Sequence, residues 1–369
     1  MHAKITLSAD IKPSARALQV ASLMDIAPEN KLTRSWDVTL PIEEKPWNVG
    51  LIVGPSGSGK STLAGQLWPG RTTRPHWGSQ PILDEMPDMP VRDITGMFTA
   101  VGLSSVPTWL RPHGTLSTGE QFRADLARLL AETPSGGTTV IDEFTSVVDR
   151  QVATAASHCL QKTARRQNRQ VVAVTCHYDV LDWLVPDWVL DVPTSAFRWE
   201  GKRRHPPLDL EIRQVSRSNW PLFKNHHYLS AVLPPGAVCY GTFAGEEMIC
   251  FSAVIRRVHR SPEARRIWVM SRQVTLPDWQ GMGIGTTTGD WIAQHYVKQG
   301  WRFRWLTAHP GLIAHFRHSP QWRMIHNGSA HQIKSGPNSM MRGHQRQWRM
   351  MAVACFEYKR RAPLPVRDE

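Results

Sequence analysis

Apolar residues in this chain gather into short runs and helical stripes, with polar and glycine-rich stretches between them. Residues 47–53 form an almost continuous apolar run, which predicts a strand buried on both faces, and 61–67 predicts the helix after it. Phe122, Leu126, Leu129 and Leu130 recur at helical spacing and predict a helix over 120–131. Runs at 138–141 and 170–175 predict two further strands. Alternating strands and helices of this kind predict a mainly parallel sheet. Ahead of them, 5–11 and 36–42 predict strands flanking a helix over 13–24.

A second series of elements starts near Leu208. Residues 211–215, 238–243, 248–258 and 267–276 predict strands, 284–299 a helix and 303–308 another strand. Residues 192–207 between the two series combine prolines, a glycine and a basic run, the composition of a boundary. The expected organisation is a first domain over 1–200, a linker over 201–207 and a second domain over 208–369. The stretch 327–347, rich in Gly, Ser, His, Asn and Arg, predicts a mobile or ligand-ordered loop. No internal repeat is visible.

Composition narrows the class. A chain of 369 residues has room for two or three domains. No apolar run approaches the roughly 18 residues of a membrane span, and the N-terminus lacks an apolar signal core, so a cytoplasmic protein without a membrane partner is expected. The five cysteines are scattered and form no C-x-x-C pair, which argues against a disulfide framework or a cysteine zinc site. Sixteen histidines show no metal-binding spacing. Charge is unevenly divided: residues 1–200 hold 19 Lys and Arg against 21 Asp and Glu, whereas 201–369 hold 25 against 10. Basicity confined to the second half points to a polyanionic partner there, nucleic acid above all.

The candidate chemistry begins after the first buried run. Gly54, Gly57 and Gly59 leave room for backbone N–H groups to close around phosphates. Lys60 adds a charge for the terminal phosphates and Ser61 a hydroxyl for Mg²⁺, with Thr62 beside them. Asp142, at the end of a predicted strand, suits the same Mg²⁺, and Glu143 can polarise an attacking water. Two successive carboxylates at a buried strand end imply a cation or water nearby.

With these residues, Leu116, Ser117, Thr118, Gly119 and Glu120 resemble the signature motif of the ABC-type ATPases, and the first domain is similar to that family. The resemblance implies ATP and Mg²⁺ as ligands, ATP hydrolysis, and a head-to-tail homodimer in which Ser117 and Gly119 reach a nucleotide held by the opposite subunit. It further implies a D-loop ending in Asp149, a switch histidine at His177 and a Q-loop glutamine at Gln80. Ser117 or Thr118 could equally be a plain helix cap. Trp36 is placed either to stack on adenine or to fill the core. A signature ending in Glu120 looks more like the soluble DNA-associated ABC ATPases than transport motors.

Gln280, Gly281, Met282, Gly283, Ile284 and Gly285 follow a predicted strand and open a predicted helix. They resemble the pyrophosphate loop of GNAT acyltransferases, which implies acetyl-CoA bound at a helix N-terminus. Together the two resemblances imply an α/β protein, a P-loop ABC-type ATPase domain followed by a GNAT-like acyltransferase domain. Acyl transfer needs a base for the amine and an acid for the thiolate. Candidate bases are His309, Asp278, His226, His227 and Tyr228. At the family's acid position stands Phe316, which cannot donate a proton and leaves His315 or His318. The expected function is an ATPase coupled to an N-acetyltransferase acting on nucleic acid. The alternatives are an ATP-gated protein or small-molecule acetyltransferase, and a DNA-binding ATPase whose acyl domain is inactive.

Overall fold

In chain order the computed structural model runs β1 (His2–Asp10), α1 (Ala15–Leu23), β2 (Lys31–Thr39), β3 (Val49–Val53), α2 (Lys60–Leu67), α3 (Val91–Ala100), α4 (Val106–Trp109), α5 (Thr118–Glu132), β4 (Thr138–Ile141), α6 (Arg150–Arg166), β5 (Gln170–Thr175), α7 (Leu181–Leu184), β6 (Trp188–Asp191) and β7 (Ala196–Trp199). It continues with β8 (Glu211–Val215), β9 (Val238–Ala244), β10 (Glu247–Arg256), β11 (Ile267–Thr275), α8 (Ile284–Lys298), β12 (Arg302–Thr307), α9 (Pro310–His318), β13 (Trp322–His326) and β14 (Ala354–Tyr358). The structure describes residues 1–10, 12–27, 31–71, 74–134, 136–201, 205–227, 232–257, 266–327 and 353–359. The predicted loop over 327–347 therefore lies, past Asn327, outside the described residues, as do Tyr228 and positions 202–204 of the predicted linker.

The fold is mixed α/β, and its two compact units are not consecutive in sequence. One comprises Met1–Pro75, Thr133–Val147 and Gln161–His205; the other His76–Glu132, Val148–Leu160 and Pro206–Glu369.

The first unit is built on a five-stranded sheet of order β4-β5-β3-β6-β7, parallel except for β7. Every residue of β3 is buried, as its continuous apolar run predicts for a central parallel strand. Asp187 pins the start of β3: its Oδ2 accepts N–H bonds from Asn48 and Val49, each 2.8 Å, while Arg165 donates to its Oδ1 at 2.9 Å. Leu40, Ile52, Leu63, Trp188 and Leu190 join one apolar core, with Trp47 edge-on to Trp188 at 5.4 Å. A separate ribbon pairs β1 with β2 from His2↔Thr39 to Asp10↔Lys31. The second strand of this pair starts and ends earlier than the 36–42 run predicts, because its partner, not its own apolar content, sets its length.

The second unit carries a seven-stranded sheet of order β13-β14-β12-β11-β10-β9-β8. Among the described residues of this sheet only β11 and β12 are parallel, and α8 makes the crossover between them. They pair over Ile267–Met270 and Arg302–Trp305 alone, after which both strands continue without pairing to each other. A bulge lies just there: Ala253 faces Arg272 and Val254 faces Met270, so Ser271 is the extra residue. Tyr240, Ile292, Phe303, Trp305, Phe316 and Phe356 fill the core under α8 and α9. In the same unit α3 packs against both α5 and α9.

Candidate nucleotide site and second glycine loop

The parallel order β4-β5-β3 brings the carboxyl ends of three strands to one edge of the first sheet, the usual place for ligand chemistry in such sheets. The 54–59 loop leaves β3 there and enters α2. Gly59 caps α2 with φ +94°, and a Cβ on it would stand 2.2 Å from the Trp36 ring. Only glycine satisfies both demands. The Trp36 indole N–H donates to the Ser58 carbonyl at 2.9 Å, so this ring braces the loop. The same ring lines a cleft of about 350 Å³ with Ser35, Ser58, Val192, Pro193 and Ser195. Lys60 is almost buried, and its ammonium donates to the Pro55 carbonyl across the loop at 2.9 Å.

Ser61 opens the first turn of α2 and its hydroxyl donates to Asp142 Oδ1 at 3.0 Å. The Glu143 N–H donates to the same oxygen at 2.9 Å. Two hard oxygen donors this close suit Mg²⁺, which takes few protein ligands and keeps phosphate oxygens and waters for the rest. Among the described residues no group of three His, Cys, Asp or Glu side chains gathers for a metal. Glu143 is exposed and has φ +54°, and Thr145 has φ +65°, conformations that side-chain-bearing residues seldom adopt. The Phe144 N–H, donating to Val174 at 2.8 Å, ties this turn to β5. His177 leaves the end of β5, its N–H donating to Thr175 Oγ1 at 3.1 Å. Gly54, Gly57, Lys60, Ser61, Thr62, Asp142, Glu143 and His177 thus all belong to the first unit.

Gln80, Ser117, Gly119 and Asp149 belong to the second. The Gln80 side chain is exposed, and its N–H donates to Glu85. Ser117 and Glu120 form a reciprocal capping box at the start of α5: the Glu120 N–H donates to Ser117 Oγ at 3.3 Å, and the Ser117 N–H to Glu120 Oε2 at 3.0 Å. Thr108 donates to the other Glu120 oxygen at 2.8 Å, so this buried carboxylate is fully occupied locally. Glu120 therefore has a local structural role at the start of α5. Asp149 caps α6 through the Val152 N–H at 2.9 Å.

The second glycine loop follows β11. Gly281 and Gly283 take φ +86° and +84°, and Gly283 caps α8. Gln280 is nearly buried; its amide donates to the Thr275 carbonyl at 3.0 Å and accepts from the Ser104 N–H at 2.8 Å. Gly285 presents its carbonyl to the Gln273 amide at 2.7 Å. Asp278 is half-exposed, with Arg123 Nη2 3.7 Å away; burial raises its carboxyl above the usual range against the pull of that guanidinium.

His309 Nε2 meets the Ser104 carbonyl at 3.1 Å, so the proton is on Nε2. Its Nδ1 is buried without a hydrogen-bond partner among the described residues, and burial lowers the ring's pKa, keeping it neutral. Phe316 is a core residue, 1% exposed, and His318 Nδ1 is engaged by the Ala314 carbonyl. Arg123, fully buried on α5, escaped the sequence reading; its signal was a cation in the i, i+3, i+4 stripe of Glu120, Ala124 and Ala127.

No known family profile matches the chain, and no curated protein matches it. Solved structures resemble part of it. One is cbiO1 from Clostridium perfringens, part of the ABC transporter complex cbiONQ, with 17% identity and a TM-score of 0.34 over 43% of this chain and 76% of that one. Another is a dimeric ATP-binding cassette in a post-hydrolysis state with ADP and phosphate, with 17% identity and a TM-score of 0.34 over 45% and 88%. A dimeric bacterial ABC transporter cassette has 16% identity and the same score and coverage. Among the described residues, no helix is long and apolar enough to cross a membrane.

Proposed function

We propose that the chain binds and hydrolyses ATP with Mg²⁺ as an ABC-type ATPase working as a head-to-tail homodimer, and that this activity is coupled to an acetyl-CoA-dependent N-acyltransferase acting on nucleic acid. The observation that carries the first part is the Ser61–Asp142 contact beside a glycine loop closed by Lys60. Bound Mg²⁺ would withdraw charge from the phosphates. Ser61 and Asp142 would hold it, Lys60 would exchange the Pro55 carbonyl for a phosphate oxygen, and exposed Glu143 would orient and deprotonate the attacking water. Lys60→Ala should abolish ATP binding. Glu143→Gln should keep binding and lower turnover by two orders of magnitude or more, within the range of one general base.

The acyltransferase part is supported by the end of β11–β12 pairing at Met270 and Trp305, with the 280–285 loop and the α8 N-terminus following from β11. The helix start offers N–H groups to a pyrophosphate. Net basicity of the second half supports a nucleic-acid acceptor. Incubation with ATP, Mg²⁺ and acetyl-CoA, followed by mass analysis of nucleosides from DNA and RNA, should yield an acylated base; none from either refutes this part.

The inactive-domain alternative is favoured by two observations: Phe316 is sealed in the core, and the His309 Nε2 proton is committed to Ser104. It predicts nucleic-acid-stimulated ATP hydrolysis with no acetyl-CoA binding.

A further inference from the structure

Three segments flanking the Ser117–Gly119 helix start hold the second glycine loop in place, all within the second unit. From α5, Arg123 Nη1 donates to the Pro277 carbonyl at 2.5 Å, with Nη2 beside Asp278. From the turn after α3, the Ser104 N–H holds Gln280, and Gly102 meets Gly281 backbone to backbone: a Cβ on Gly281 would stand 2.9 Å from the Gly102 Cα. From α6, Cys159 Sγ approaches the Gln280 carbonyl at 3.8 Å and would be 2.1 Å from that same Cβ. These contacts leave no slack. A fully buried guanidinium cannot let go of its acceptors and find water instead, so a shift of α5 carries residues 277–281 with it.

The other end of the connection is charged. Asp278 Oδ1 lies 3.8 Å from where a Cβ on Gly119 would be, so a phosphate brought to that glycine meets a carboxylate. Like charges at this range oppose each other. Asp278 is covalently continuous with Gln280 and the N–H groups of the 281–285 loop.

We propose that residues 277–281 relay the state of nucleotide at the Ser117–Gly119 helix start to the second glycine loop, so that a triphosphate there weakens acyl-CoA binding, with Arg123 as the positioning residue of the relay. This rests on the reading given under Proposed function. Linkage makes the effect reciprocal: bound CoA weakens the triphosphate by the same factor.

The test is calorimetric titration of acetyl-CoA into the full-length chain loaded with Mg²⁺ and either a non-hydrolysable ATP analogue or ADP. Acetyl-CoA should bind about 5-fold or more weakly in the triphosphate state, the lower end of ordinary coupling. Asp278→Asn and Arg123→Lys should each bring the ratio toward one. A merely structural role for Arg123 would shift both affinities and leave the ratio intact, which overturns its assignment. Should Arg123→Lys fail to fold by circular dichroism, half-exposed Asp278 supplies the variant that decides. If both ligands bind and the wild-type ratio is one or reversed, the relay is refuted while the two sites stand. If acetyl-CoA binds in neither state, the acyl-carrier reading falls and the relay with it.

Discussion

Glu357 offers the sharpest quantitative test of the second sheet. Its carboxylate on β14 is only 4% exposed and takes hydrogen bonds from Arg302 at 2.7 Å, Arg304 at 2.7 Å and Arg323 at 2.5 Å. Burial pushes its pKa up, but the bonds from Arg302, Arg323 and Arg304 outweigh it and hold the group down at about 2, against 4.5 for a free glutamate. Each pKa unit is worth about 1.4 kcal/mol, so the difference corresponds to roughly 3 kcal/mol. Arg302 and Arg323 are 39% and 57% exposed, and solvent screening reduces this to about 2 kcal/mol. Because the folded pKa is depressed, this stability is fully present above about pH 4.5 and is lost as pH falls toward 2. Glu357→Gln should therefore destabilise the chain by about 2 kcal/mol at pH 7, with the gap between variant and wild type closing steadily below pH 4.5. Urea unfolding of both proteins at a series of pH values, followed by tryptophan fluorescence, measures it. A gap that stays constant down to pH 3, or no gap at pH 7, would refute the reasoning.

Other outcomes follow from single contacts. Gly59→Ala puts a methyl group into the Trp36 ring at a left-handed φ, so nucleotide binding should drop below detection by titration while Trp36 fluorescence changes. Ser117→Ala removes both hydroxyl bonds to Glu120, costing about 1 kcal/mol by melting, and should lower ATP turnover far more than ATP affinity if this serine serves the opposite subunit's nucleotide. Gly281→Ala drives a Cβ into Cys159 Sγ and the Gly102 Cα; it should cost several kcal/mol in denaturant unfolding, above the usual range for one substitution.

The sequence by itself determined the elements whose signals are local. The β3 run, the glycine loop and the start of α2 are legible because a buried parallel strand is apolar throughout, and because a phosphate loop needs its glycines at fixed places. Ser117 and Glu120, three residues apart, carry their capping box in the primary sequence. The α6 helix carries no such local signal, since its buried face mixes alanines with Ser157, Gln161 and Thr163 and presents few large apolar side chains.

Tertiary structure decided what depends on contacts between distant residues. That Trp36 braces the loop at Ser58, that three arginines from two strands converge on Glu357, and that β11–β12 pairing ends at Met270 all follow from strand pairing. The same holds for the union of the 76–132 segment with residues beyond 206 in one unit, through Arg123 and Pro277, Ser104 and Gln280, and Gly102 and Gly281. Local periodicity states which face of an element is apolar. It does not state which other face will meet it, because that choice is made by burial and hydrogen bonding across the whole chain.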